Sequence, residues 1–239
     1  MSLIRIIFLQ VSFLLSLVLS GCASTSPNTN PKDPYEGFNR SMYQFNDTLD
    51  RAVLKPVAQG YKAVMPDPGQ KMVHNFFSNI DDIFVTGNDL LQLKFQQAAS
   101  DFTRVWVNTI FGVFGLFDVA HKLEKHNEDF GQTLGYWGVS SGPYLVLPFL
   151  GPSSVRDGAG VATDSYFGVI ENLEDIPVRN SLWVTNKVNL RAELLDTEKI
   201  IEGTVMDRYS FIRDAYMMRR QSLVYDGDPP RVKYDDEDE

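Results

Sequence analysis

One pentapeptide in the 239-residue chain matches a catalytic signature: Gly138-Val139-Ser140-Ser141-Gly142 fits G-x-S-x-G. In a hydrolase that pattern puts a serine on a sharp turn between a strand and a helix, with an acid and then a histidine later in the chain. The histidines here are His74, His121 and His126, and all precede Ser140. Pro143 follows the motif at once and cannot donate a backbone hydrogen bond. Triads are defined by geometry rather than order, so Ser140 remains a candidate nucleophile that the spacing disfavours. His121 and His126 are five apart, which does not align two ligands on one helical face. Glu124, Glu128 and Asp129 add carboxylates without a recognised ligand spacing, so no metal site and no cofactor is expected. Neither G-x-x-x-x-G-K-S/T nor G-x-G-x-x-G occurs. Any directed work must draw its energy from a partner or a gradient.

The single cysteine, Cys22, excludes an intramolecular disulfide. Arg5 is a short positive region, and Ile6 to Leu19 is an apolar run of signal-peptide length. Leu19-Ser20-Gly21-Cys22 then resembles the lipobox of bacterial lipoproteins. The resemblance implies a diacylglycerol on the Cys22 thiol, cleavage before it and acylation of the new amine. Several acyl chains hold a membrane stably where one does not. Ala23 stands where an Asp would favour inner-membrane retention, so the outer membrane is expected. The segments expected are a signal peptide at 1–21, a lipidated polar tether at 22–32, a helical domain at 33–225 and a disordered acidic tail at 226–239. The chain carries a formal net charge of −9 and no basic run, which argues against nucleic acid and against electrostatic attraction to anionic lipid.

The elements that must position these residues are mostly helices. Asp33-Pro34-Tyr35-Glu36 reads as a helix start, with Asp33 as cap. Phe38, Met42, Phe45 and Leu49 form its apolar face, which leaves Asn39 and Arg40 to a solvated one. Lys55-Pro56 should end this helix, and Asp67-Pro68 should start another with a possible break at Gly87-Asn88. A stripe from Phe95 to Ile110 runs into 13 uncharged residues, 105–117, with Trp106, Phe111, Phe114 and Phe117. They are too few to span a bilayer but long enough to lie along one. Taken alone, a core helix is the simpler reading. Later helices are expected from Asp164 to Leu173, from Ser181 to Leu195, and from Tyr209 to Leu223 behind an Asp207 cap. Strand signals are scarce.

Phe130 to Val155 holds 26 residues without a formal charge. Its five glycines and three prolines oppose a membrane-spanning helix. It reads as irregular apolar backbone that other protein must cover or that lines a cavity.

Four ordered blocks behind the lipobox resemble the MlaA/VacJ family of outer-membrane lipoproteins. They are Asp33 to Arg40, Lys55-Pro56-Val57-Ala58, Asn108-Thr109 through Gly115-Leu116-Phe117-Asp118-Val119-Ala120, and Phe130-Gly131-Gln132-Thr133-Leu134-Gly135 through Gly142-Pro143-Tyr144, Leu147-Pro148 and Arg156-Asp157. Ser140 departs from an expected glycine, so the esterase match looks like the product of one substitution. Lys55 stands where arginine is common. The resemblance implies a mostly α fold: a ring-shaped bundle of amphipathic helices in the inner leaflet of the outer membrane, around a central amphipathic channel. It implies a non-enzymatic protein, lipid-anchored on the periplasmic side beside a trimeric porin. Mislocalised outer-leaflet phospholipid would pass through it to a periplasmic phospholipid carrier, preserving lipid asymmetry. The competing readings are a structural lipoprotein that braces a porin and a lipid hydrolase using Ser140.

The physical reading agrees with a channel. Exposing two acyl chains of about 16 carbons to water would cost on the order of 25 kcal/mol, at about 0.8 per methylene. A path must shield the tails and keep the headgroup wet. Tyr136, Trp137, Tyr144 and Leu145 are the candidate wall, with Gly138 and Gly142 permitting movement.

Overall fold

The computed structural model describes residues 30–203 and 205–230. Cys22, the signal segment, most of the tether and residues 231–239 of the acidic tail lie outside the described residues. The elements in order are α1 (Glu36–Leu49), a π-helical turn (Asp50–Leu54), α2 (Lys55–Val64), α3 (Asp67–Leu91), α4 (Phe95–Ile110), α5 (Phe130–Tyr136), β1 (Tyr144–Leu147), β2 (Gly151–Ser154), α6 (Val155–Phe167), α7 (Ile176–Glu202) and α8 (Arg208–Val224). The fold is mostly helical. No described helix is long and apolar enough to cross a membrane.

Several boundaries differ from the sequence reading. Lys55-Pro56 does not stop the first helix. A regular α-turn would drive the Pro56 ring into the preceding turn; the wider turn at 50–54 stands just before it, and the backbone stays helical into α2. Gly87-Asn88 does not break α3, because Asn88 donates its side-chain amide to the Phe84 carbonyl, 3.0 Å away inside the same helix. Asp33 is no cap either: α1 begins behind Tyr35 without a side-chain cap. The helix expected at Asp164 starts nine residues earlier, at Val155, behind Ser154, which accepts from the Asp157 N–H. Asp207 does cap α8, accepting from Tyr209 and Ser210. The central apolar stretch is not irregular throughout. It holds α5 and an antiparallel hairpin with Tyr144 opposite Ser154 and Leu147 opposite Gly151.

α4 folds back along α3, α2 packs on α7, α5 on α6, and α8 against α5 and β2. Among the described residues two small buried apolar clusters result. Ala58, Ala192 and Leu195 join α2 to α7. Tyr144, Val146 and Tyr209 join β1 to α8. Among the described residues thirteen apolar side chains are buried against twenty polar or charged ones. The usual ordering of inside and outside is inverted. In α4, Asp101, Arg104 and Asn108 face inward, while Phe102, Trp106 and Ile110 are more than half exposed. In α1, Asn39 is fully buried, and Phe38, Phe45 and Leu49 are exposed. The expected faces of α1 and α4 are therefore reversed.

Buried amides do the work that apolar packing does elsewhere. The Asn39 side chain donates to the Tyr144 carbonyl at 2.9 Å and to Asp33 Oδ1 at 2.8 Å, and accepts from the Val146 N–H at 2.9 Å. Asn46 repeats the pattern on the same strand, donating to the Leu147 carbonyl at 2.9 Å and accepting from the Phe149 N–H at 2.8 Å. Seven helical residues rise about 10.5 Å, and three strand residues rise about 10 Å. Two asparagines two turns apart on α1 thus match the free edge of β1 and substitute for a third strand.

α5 and α6 approach each other closely at a pair of glycines. A Cβ on Gly160 would lie 2.5 Å from the Gly131 nitrogen, so neither backbone leaves room for a side chain. Arg220 of α8 spans this crossing. It holds Asp129, the α5 cap, at 2.5 and 2.9 Å, and Asp157 at 2.9 Å.

Asn39→Ala leaves the Val146 N–H, the Tyr144 carbonyl and one Asp33 oxygen short of a partner. We expect it to lose about 2–4 kcal/mol of stability, and half-exposed Asn46→Ala about 1 kcal/mol. Denaturant titration in detergent checks both; equal effects would contradict the role given to Asn39.

Candidate functional site

A cavity of about 440 Å³ lies where α1, α7, α8 and the hairpin meet. Tyr43, Val146, Pro152, Leu194 and Ile212 supply an apolar wall. A chain of ion pairs crosses it. Arg191 of α7 holds Asp50 with two bonds, at 2.7 and 2.8 Å, and Glu198 one helical face onward at 2.5 Å. Arg208, the first residue of α8, reaches the other Glu198 oxygen at 2.8 Å and stands 4.0 Å from Asp47. Lys55 approaches Glu198 at 3.4 Å.

The local sequence explains this placement. Arg191 and Glu198 are seven apart, hence on one face of α7. The Asp207 cap fixes where α8 begins and so where Arg208 projects. Arg40 binds Asp207 at 2.7 Å, which ties that cap back to α1. Burial alone would push Glu198 up, but hydrogen bonds from Arg208 and Arg191, with the Lys55 and Arg191 charges, hold it down at about 2. The Asp50 bonds, against burial, push Arg191 further above its ordinary value. The site therefore keeps both signs of charge at any pH near neutrality, beside an apolar wall. That combination suits a ligand with a charged head and an apolar body.

The residues proposed from sequence sit elsewhere, and not together. Tyr136 and Trp137 are half-exposed or more at the end of α5, where Lys94 Nζ lies 5.4 Å from the Tyr136 ring centroid. Gly138 and Gly142 are exposed in the turn that follows, with φ of 88° and 68°. Leu145 is half-buried on β1, opposite Ser153. Tyr144 is 1% exposed, its ring set between Tyr209 and Tyr216 at centroid distances of 6.3 and 6.0 Å. None of the six lines the cavity, though Val146, Gly151 and Pro152 of the same stretch do. The charged residues of the cavity escaped the sequence reading because the helix expected at Ser181 to Leu195 stops short of Glu198, whereas α7 runs from Ile176 to Glu202. The available signal was the spacing of Arg191 and Glu198.

Ser140 is exposed, between α5 and β1. A nucleophile elbow needs a strand before the serine and a helix after it; here the order is the reverse. The histidines are engaged elsewhere. His74 Nδ1 lies 2.8 Å from Glu193, His126 Nδ1 lies 2.7 Å from Asp101, and His121 meets the Asp118 carbonyl at 3.2 Å.

Because the folded-state pKa of Glu198 lies below the ordinary glutamate value, its contribution to stability is complete above about pH 4.5 and is lost as pH falls toward about 2. We expect the thermal midpoint to fall across that window in the wild type, and the fall to be shallower in Glu198→Gln. Identical slopes would mean that the carboxylate is not held as described.

The MlaA lipoprotein family model matches residues 31–223. A protein of Escherichia coli (strain K12), "Intermembrane phospholipid transport system lipoprotein MlaA", is 36% identical over 220 residues, covering 88% of this chain and 86% of its own length. The Haemophilus influenzae protein of the same name is 31% identical over 225 residues, 90% of each chain. A solved structure described as "Structural basis for maintenance of bacterial outer membrane lipid asymmetry" superposes with a TM-score of 0.71 at 33% identity, covering 80% of this chain and 98% of that one. With nearly all of its helical body matched in sequence and in fold, the chain belongs to the MlaA lipoprotein family.

Proposed function

We propose that this chain is an outer-membrane lipoprotein, anchored through Cys22 on the periplasmic side. It takes mislocalised phospholipid from the outer leaflet and passes it to a periplasmic carrier, which maintains lipid asymmetry. The observation that carries this reading is the inverted polarity: helices α1 and α4 turn Phe38, Phe45, Phe102, Trp106 and Ile110 outward and seal their amides and charges inside. Such a surface is costly in water and suits acyl chains. The helices would lie along one leaflet as a ring rather than cross both. Phe111, Phe114 and Phe117, all more than half exposed beyond α4, extend the apolar rim.

The cavity between α1, α7 and α8 supplies the amphipathic part of the path. Its acidic and basic side chains offer partners to a phosphate and to a headgroup amine, and its apolar wall accommodates the upper tail carbons. Tyr136, Trp137, Gly138, Gly142 and Leu145, which lie outside this cavity, would serve a separate part of the path, and buried Tyr144 fixes the strand that follows the turn. A trimeric porin beside the apolar rim would hold the ring in register with the membrane.

We expect outer-leaflet phospholipid to rise in cells lacking the gene and to fall again with wild type or Ser140→Ala. Restoration by wild type alone, with lysophospholipid made in step, would instead mark a hydrolase. Unchanged surface phospholipid in the deletion would favour a porin brace. A Cβ on Gly138 meets nothing within 4 Å, so Gly138→Val strains only the left-handed backbone, by about 1–2 kcal/mol. We expect that variant to fold and to accumulate surface phospholipid; normal asymmetry would remove this turn from the path.

A further inference from the structure

Two carboxylates and an imidazole from three separate elements converge behind the aromatic loop. Asp89 lies in the last turn of α3, Asp101 in α4, and His126 in the connection between α4 and α5. One ligand atom from each lies within 4.8 Å of the other two. His126 Nδ1 is 2.7 Å from Asp101 Oδ2, and the His126 N–H reaches Asp101 Oδ1 at 3.4 Å. Asp89 and Asp101 have no exposed surface. Both oxygens of Asp89 are without a hydrogen-bond donor.

A buried carboxylate in that condition is costly unless a proton or a cation meets it. The neighbouring cations have other partners. Lys94 holds Glu128 at 3.0 Å and Asp226 at 2.6 Å. Lys125 pairs with Asp82. Arg104 binds Asp118 and the carbonyls of Ala120 and Leu123.

We propose that Asp89, Asp101 and His126 form a binding site for a divalent transition cation, Zn²⁺ being the best match. An imidazole with two carboxylates suits Zn²⁺, which takes three protein ligands and a water; Ca²⁺ and Mg²⁺ prefer oxygen alone and more ligands. Zinc ligands at about 2.0–2.2 Å from the metal stand roughly 3.4 Å apart, within the present spread. A cavity of about 620 Å³ adjoins the cluster on its His126 side, lined also by Gln97, Glu124 and Glu128. Gln97 stands one turn before Asp101, and its buried side-chain oxygen is also without a donor. The spacing of His121 and His126 gave no hint of this site, since its ligands come from three segments and only one is a histidine. A bound cation would clip α3, α4 and the loop that carries Phe111, Phe114 and Phe117 into one unit.

The test uses the full purified chain in detergent, with any affinity tag removed and metal stripped by a chelator. Calorimetric titration with Zn²⁺, Mn²⁺, Ca²⁺ and Mg²⁺ should show one Zn²⁺ per chain, Mn²⁺ weaker, and Ca²⁺ and Mg²⁺ at least about tenfold weaker. Zn²⁺ should raise the thermal midpoint. Asp89→Asn and His126→Ala should each weaken Zn²⁺ binding at least about tenfold while keeping the wild-type far-ultraviolet circular dichroism. Co²⁺ should give visible absorption bands in the wild type that His126→Ala abolishes. Because wild-type stoichiometry decides by itself, a variant that fails to fold leaves the test intact. No stoichiometric Zn²⁺ binding by wild type, or unchanged binding in both variants, would overturn the proposal and leave a shared proton as what neutralises the two carboxylates.

Discussion

The Asn39 amide is the joint on which the molecule depends. It is fully buried, and through Asp33, the Tyr144 carbonyl and the Val146 N–H it connects the start of the body, the first helix and the hairpin. Asp33 in turn accepts from the Tyr209 hydroxyl at 2.5 Å and from Arg213 at 3.3 Å, which brings in α8. Asp157 and Asp129 continue the same logic through Arg220 and Tyr216 to α5 and α6. An apolar contact forgives small displacements; an amide bonded on both of its polar atoms does not. Elements separated by over a hundred residues are thereby held in one register.

This arrangement suits a chain whose outer surface is apolar. Against lipid tails, apolar faces gain little by meeting each other, and association rests on close packing and polar pairs. Both are present. Gly131 and Gly160 let two backbones touch, and the interior is a connected set of amides, carboxylates and guanidinium groups. The same groups would be a liability at lower satisfaction, since a half-bonded buried network is worse than an apolar core. The few unpartnered atoms therefore stand out. Among the described residues, Asp89 has both carboxylate oxygens in that state, beside the bonded pair Asp101–His126.

Much of the framework was legible in the sequence. The helical class and the Asp207 cap follow from local chemistry, whereas Arg156-Asp157 stood out only through the family resemblance. The faces did not follow, because periodicity finds a stripe without saying which solvent it meets. Phe38, Phe45 and Leu49 recur as a core face would, and Asn39 and Asn46 recur as a wet face would; in an apolar surround the assignments exchange. The 105–117 run holds four aromatics without charge and is too short to span a bilayer; taken alone it reads as a core helix, yet all four rings are more than half exposed. The site was harder still. Asp50, Arg208 and the pair Arg191 and Glu198 come from three elements, and no local pattern joins all four. The hairpin within 144–154 hid behind its own glycines and prolines, since its pairing is completed by side chains of α1 rather than by a third strand.

The wide turn at 50–54 has a bearing on how this chain can vary. A π-turn is a helix carrying one residue more than regular winding needs. Upstream of it Asn39 and Asn46 are keyed to the strand; downstream Ala58 is wedged against Ala192 and Leu195. Each residue of helix turns the face by about 100°. Removing one residue there would restore ideal winding and swing one set of contacts a quarter-turn or more away from the other. The length of the chain between Asn46 and Ala58 is thus a phase setting, and drift by single insertions or deletions should be far less tolerated there than in the loops, whatever residues are substituted.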